Sequence, residues 1–176
     1  MAKSSNLREF QESILLKLKE AAEQGETVST SRLGVKVGAK HLLINLGDVR
    51  EVLPVPQVLH VPLTQSWFLG VANVRGNLYN ISDLAHFIGL SATAKSANNR
   101  IVLLSSDATA QSALLIDRLV GLRSIDAMQA KKLETSDKSD AFLQRQYYED
   151  ADGNAWFELN VHALVQDKEF IQPTLN

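Results

Sequence analysis

The sequence contains no cysteine, which removes disulfide frameworks, thiolate metal sites and thiol nucleophiles together and agrees with a reducing compartment. An excess of one charge is also lacking: 18 Lys and Arg stand against 20 Asp and Glu, for a net charge of -2 and a pI near 6.1. A phosphate backbone or an anionic membrane would find no surplus of cations to neutralise, so nucleic acid is not an expected partner. Long hydrophobic runs are missing too. The longest, such as Leu42 to Ile44 and Ile101 to Leu104, fall far short of the ~20 residues that cross a bilayer. The first ten residues carry Lys3 and Glu9 among polar neighbours, with no apolar h-region or small-residue cleavage site, so no secretory signal is expected. A soluble, cytoplasmic chain with no direct membrane insertion is the expectation.

What is present is an ordinary globular composition, 176 residues with 45% hydrophobic and 22% charged, enough for one full core or two small ones. Leu7, Phe10, Ile14, Leu15, Leu18, Ala21 and Ala22 recur at spacings of three and four, which predicts an amphipathic helix from Leu7 to Glu23. Gly25 and the polar stretch from Glu26 to Arg32 then mark a linker, placing a boundary between residues 1–31 and a domain of residues 32–172.

Beyond the linker the pattern becomes short and β-like. Leu33 to Val37 and His41 to Leu46 flank Gly38-Ala39-Lys40, the simplest reading of which is a hairpin. Val49 to Leu53 resumes an extended segment, and Pro54 and Pro56 bar a regular central strand there. Trp67 to Val74 forms a dense apolar block, with Gly70 and Gly76 where the backbone turns or approaches another chain segment closely. Leu78 to Ile81 reads as a strand, followed by a short helix capped by Ser82 or Asp83 and ended by Gly89. Ser91 to Asn98, small and polar, suggests a passage between subdomains at about 32–90 and 98–172. Arg100 to Leu104 and Ser112 to Ile116 make a second hairpin, and Asp117 to Ile125 continues in strand-like steps broken by Gly121. Ala127 to Asp140 reads as a surface loop. Phe142 to Tyr148 and Ala155 to Leu159 make a third hairpin around Glu149 to Asn154, and Asn160 caps a last helix through Val165. About ten short strands without βα alternation predict a mainly β protein, with small barrels as the best fit.

Chemical motifs are sparse. His41, His60, His86 and His162 lie far apart, none at metal-ligand spacing from another, and no cofactor is expected. No Gly-x-Ser-x-Gly occurs, and nothing singles out one Ser as an activated nucleophile. Gly70 and Gly76 are not followed by Gly-Lys-Ser/Thr, which excludes a phosphate-cradling loop. Asp150-Ala151-Asp152-Gly153-Asn154 has its Gly too early for a calcium loop and Val161 where the bidentate Glu would stand, so a hairpin turn is the reading. The conspicuous segment is Trp67 to Asn77, where two glycines and Arg75 sit among large apolar residues. A core strand with a turn explains it structurally. The functional alternative is an arginine displayed on a glycine-flanked bend, offering planar, permanently charged donors to a partner.

Gly70-Val71-Ala72-Asn73-Val74-Arg75-Gly76, followed by Ile81-Ser82-Asp83-Leu84, resembles the central signature of CheW domains. The resemblance runs from about Leu33 to Phe170 and includes Gly47-Asp48-Val49-Arg50-Glu51-Val52 and Leu115-Ile116-Asp117-Arg118-Leu119. Val52 to Pro56, Trp67 and the leading helix look most like PilI-type adaptors of type IV pilus chemosensory systems. The resemblance implies two packed five-stranded β-barrel subdomains with an N-terminal amphipathic helix and short helices. It implies a non-enzymatic adaptor that couples the cytoplasmic tip of a methyl-accepting chemoreceptor to the regulatory domain of a CheA-type histidine kinase, recruited to membrane receptor arrays. Carried over, the receptor-binding residues are Val49, Glu51, Gly70 and Arg75; Leu115, Ile116 and Val120 are candidates for the kinase-binding surface. Asn80 departs from the family, which usually has Pro before Ile81, so that strand is expected to differ slightly at its edge.

Two other readings use the same residues. A CheW-like competitor would bind the kinase without activating it. A nucleic-acid-binding β-barrel would need a basic stripe interleaved with aromatics, which Lys131-Lys132 and the scattered arginines do not supply.

Overall fold

The computed structural model describes residues 30–105, 109, 111–134 and 138–175, together with Leu16. Apart from Leu16, the helix expected from Leu7 to Glu23 lies outside the described residues.

The first hairpin forms as its alternation dictates. In β1 (Ser31–Val37), Leu33, Val35 and Val37 point into a core, and β2 (Lys40–Asn45) returns antiparallel with Val37 opposite Lys40. A single 3-10 turn, Leu46–Asp48, then carries the chain away; Asn45 caps it by accepting from the Gly47 N–H at 2.9 Å. Next come β3 (Val49–Pro54), β4 (Phe68–Val74), β5 (Asn77–Asp83), β6 (Arg100–Leu104) and β7 (Ser112–Ile116), which make one five-stranded sheet in the order β3, β6, β7, β5, β4. Pro54 ends an edge strand, where its missing N–H costs no ladder bond.

After one residue, Asp117, the chain returns to the first sheet with β8 (Arg118–Ser124), β9 (Gln129–Lys132), β10 (Leu143–Glu149) and β11 (Ala155–Leu159), in the order β8, β1, β2, β11, β10, β9. Asp117 fixes that return twice: its N–H donates to Lys36 O at 3.0 Å and its carboxylate accepts from the Gly38 N–H at 2.6 Å.

The fold is therefore mainly β, in two sheets, one of six strands where five were expected. The sheets do not follow the chain halves 32–90 and 98–172: β1 and β2 join β8 to β11, and all of β3 to β7 belong to the other sheet. The sixth strand is β9, inside the stretch Ala127 to Asp140 read as a loop. All four of its residues are exposed, so side-chain alternation could not reveal it; its backbone pairing with β10 does.

Alternation also distributes the cores. Val102, Leu104, Leu114 and Ile116 join Val35, Leu42 and Ile44 in a large core between the sheets, whereas Ile101, Leu103, Ala113 and Leu115 pack on the far side of the five-stranded sheet. That is why β6 and β7 read as unbroken apolar runs: both faces are covered. Leu43, Tyr148 and Trp156 form a third, small cluster on the far side of the six-stranded sheet.

The helices are short. In α1 (Leu84–Phe87), Asp83 accepts from the His86 N–H and Gly89 follows at φ 88°; α2 (Val161–Gln166) is capped by Asn160. A further turn, α3 (Lys168–Ile171), was not expected; Asp167 caps it by accepting from Glu169 N–H and Phe170 N–H. Phe170 then stacks on Trp67 at 6.1 Å and meets Phe87 edge-on at 5.2 Å, clamping the C-terminal end over the start of β4.

Candidate functional site

The segment singled out in the sequence folds as the β4–β5 hairpin. Its loop is two residues, Arg75 and Gly76, with φ 52° and 86°. Positive φ at both positions is the type I′ requirement, which Gly76 meets at no steric cost and Arg75 meets against its Cβ. Asn73 Oδ1 accepts from the Gly76 N–H at 2.9 Å and braces the turn.

The Arg75 side chain is displayed, 67% exposed, and forks onto Glu51 of β3, whose side chain is 23% exposed. Arg75 Nη2 donates to Glu51 Oε1 at 2.6 Å, and Arg75 Nη1 donates to the other carboxylate oxygen. β3 and β4 are the two ends of the five-stranded ladder, which laid flat would hold them ~19 Å apart. The ion pair therefore requires the sheet to curl until its ends meet. Arg50 Nη1 spans the same gap to the Tyr79 hydroxyl of β5 at 3.2 Å.

Gly70 explains how β4 is covered upstream of the turn. Its φ is 131°, and a Cβ there would lie 2.0 Å from the Leu59 carbonyl oxygen. Leu59 and Val71 exchange backbone bonds at 2.7 and 2.9 Å, so the proline-rich connection seals part of the β4 edge only because residue 70 has no side chain. Leu78, two residues past the turn, and Leu59, opposite Val71 on β4, stand 56% and 59% exposed.

Of the receptor-contact residues implied by the resemblance, the structure brings Glu51 and Arg75 together at the surface. Val49 instead lies in the central core at 1% exposure, and Gly70 is buried beneath Leu59, so neither displays a side chain. Of the kinase-contact candidates, Leu115 and Ile116 are core residues of β7, in the same sheet as Arg75, at 7% and 0% exposure. Val120, on β8 of the other sheet, is half-buried against the small third cluster. Arg50 and Leu59 were missed by sequence reasoning; the glycine inside a strand pattern signalled a close backbone approach at Gly70 but not that Leu59 makes it.

Among the described residues no group of three His, Asp or Glu is arranged to hold a metal ion. Ser66 Oγ lies 3.4 Å from His86 Nε2, but the Asp83 carboxylate is engaged with the His86 backbone N–H and with Thr93, and no acid among the described residues orients the imidazole. The open groove beside β9 and β10, lined by Lys131, Arg145, Gln146 and Glu158, is polar and holds no nucleophile beside a base. No helix among the described residues is long and apolar enough to cross a membrane.

Two packed β-sheets, with an arginine on a hairpin turn braced by a glutamate from a distant strand of the same sheet, define a two-sheet β module. The chain belongs to the CheW-like domain family, whose model matches residues 32–169. It is similar to the protein PilI of Pseudomonas aeruginosa, 27% identical over 152 residues that cover 85% of this chain and 83% of that one. Against the chemotaxis protein CheW of Thermotoga maritima it is 24% identical over 106 residues, covering 60% of this chain and 69% of that protein. In three dimensions it resembles the scaffolding protein TtCheW of Thermoanaerobacter tengcongensis, with a TM-score of 0.65 at 17% identity over 79% of this chain and 94% of that one.

Proposed function

We propose that the protein is a cytoplasmic adaptor of a chemosensory array, coupling the tip of a methyl-accepting chemoreceptor to the regulatory domain of a CheA-type histidine kinase. The similarity to PilI over most of both chains supports a type IV pilus system as the setting. The observation that carries the reading is the displayed Arg75 on a turn braced by Asn73 and tied to Glu51. A guanidinium whose orientation is fixed before binding loses little freedom on docking, which is how interface arginines become hot spots.

In this reading Arg75 and Glu51 form the receptor contact, with Leu59 and Leu78 as its apolar margin. Gly70 and Val49 serve it from beneath, the first by letting Leu59 close on β4 and the second by anchoring β3. Val120 is the one kinase-contact candidate with surface to offer. The mechanism is scaffolding: occupancy of one surface raises the effective concentration of the other partner. The test is reconstitution with receptor cytoplasmic fragment and kinase: the protein should raise receptor-dependent autophosphorylation, and Arg75→Ala should abolish the increase. Kinase output indifferent to the protein would reject coupling; output that falls would make it the competitor.

A further inference from the structure

A row of cations crosses the far side of the six-stranded sheet, away from the Arg75 hairpin. Lys36 of β1 lies directly opposite Arg118 of β8 on one flank and His41 of β2 on the other, and His41 in turn lies opposite Trp156 of β11. Directly opposed residues share a face of the sheet, so these four form one line across four strands. Arg123, further along β8, places its guanidinium 5.0 Å from the Trp156 ring centre, and the His41 ring lies 4.7 Å from it. Gly34 makes this packing possible: a Cβ there would meet Arg123 Cγ at 3.0 Å and the Trp156 ring at 3.1 Å.

Three like charges gathered this way repel one another; the charge of Asp150 offsets part of that repulsion at His41, but among the described residues no acid forms an ion pair with any of the three. Asp150 is occupied by the Trp156 Nε1–H at 2.9 Å and by the backbone N–H groups of Asp152 and Asn154; Asp117 accepts from the Gly38 N–H. The four ion pairs among the described residues, Arg32–Glu158, Lys40–Asp140, Arg75–Glu51 and Lys131–Glu149, leave Lys36, Arg118 and Arg123 out. The crowding is felt by His41, whose pKa is pushed down by burial first, then by Lys36 and Arg118 and more weakly by Arg123, against an upward pull from Asp150; the net shift is downward, so at neutral pH it adds no fourth charge.

We propose that this row is a second docking surface, which binds a short acidic segment of a partner protein with its carboxylates paired to Lys36, Arg118 and Arg123. Charge complementarity sets the chemistry, and three features favour a peptide over a larger polyanion. Neighbouring strands are ~4.8 Å apart, so the cations span only a few residues of an extended chain. Trp156 is 2% exposed and offers no face on which a base could stack. A chain of net charge -2 exerts no long-range pull on a nucleic acid or an anionic bilayer.

The test is titration of the full-length, isotope-labelled protein with a capped hexaglutamate peptide at low salt, followed by NMR and calorimetry. Saturable amide shifts at Lys36, His41, Arg118 and Arg123 are expected. Lys36→Glu/Arg118→Glu should weaken binding at least roughly tenfold, while Lys131→Glu leaves it unchanged. Shifts centred elsewhere, equal loss in the Lys131 control, or tighter binding of an oligothymidylate or of phosphatidylserine vesicles than of the peptide would overturn the proposal. If the double variant does not fold, the wild-type shift map decides alone.

Discussion

Arg75, at the tip of one hairpin, grips both carboxylate oxygens of Glu51, 24 positions earlier in the chain and at the other end of the sheet's ladder. The pair does two jobs at once: it holds the curled sheet's ends together and fixes the direction in which a displayed cation points.

Those jobs separate by substitution. An ion pair this exposed contributes only ~0.2–1 kcal/mol to folding, so Arg75→Ala should leave the melting temperature nearly unchanged. Receptor affinity should fall by ~1–3 kcal/mol in calorimetry if the arginine is a hot spot. Glu51→Gln, which leaves the arginine in place but loosens it, should give a smaller loss of the same sign. Unaltered affinity in Arg75→Ala would remove the arginine from the contact.

Gly70→Ala should be far more damaging than its size suggests. The new methyl would sit 2.0 Å from the Leu59 carbonyl oxygen, on a backbone at φ 131° that other residues avoid. Strain and overpacking together should cost about 3 kcal/mol or more in urea unfolding, and amide exchange at Val71 should accelerate as the Leu59 bridge opens.

Ile116 gives the opposite kind of result from a displayed residue. With 0% exposure in the central core, Ile116→Ala should lower stability by ~2–5 kcal/mol. Kinase binding measured at a temperature where the variant remains folded should match the wild type. A binding defect in the folded variant would return Ile116 to the contact surface.

The Asp150 turn should leave a mark in acid. Its carboxylate accepts from Trp156 Nε1–H and from the Asn154 and Asp152 backbone, which together hold its pKa down from 3.8 to about 2. Because the folded value is depressed, the stabilisation is complete above 3.8 and is lost as pH falls toward about 2. Trp156→Phe removes the largest cause. The Asp150 carboxyl, followed by carbon-detected NMR, should then titrate closer to its ordinary value, and the acid-range slope of stability should flatten.

Hairpins and caps were legible in the sequence because their causes are local. Gly38-Ala39 between two alternating runs, Asp83 and Asn160 ahead of apolar turns, Gly89 after one: each acts on residues within a few positions of itself. The displayed arginine was legible for the same reason, since a glycine after it and a strand on each side already demand a tight turn. The central signature of the family resemblance lay in that same short stretch.

Long-range pairing decided the rest. Nothing near Val49 distinguishes a core valine from a contact valine, and although the unbroken apolar run of β7 signals a strand covered on both faces, nothing near Ile116 says which distant segments cover each one. Strand β9 has no buried residue to betray it, and β1 and β2 found their partners more than seventy positions downstream, past an entire second sheet. Local sequence biases φ and ψ and therefore sets turns, caps and strands. Which strands meet, which side chains they bury and which cations they line up depend on contacts between distant segments, and those exist only once the chain has folded.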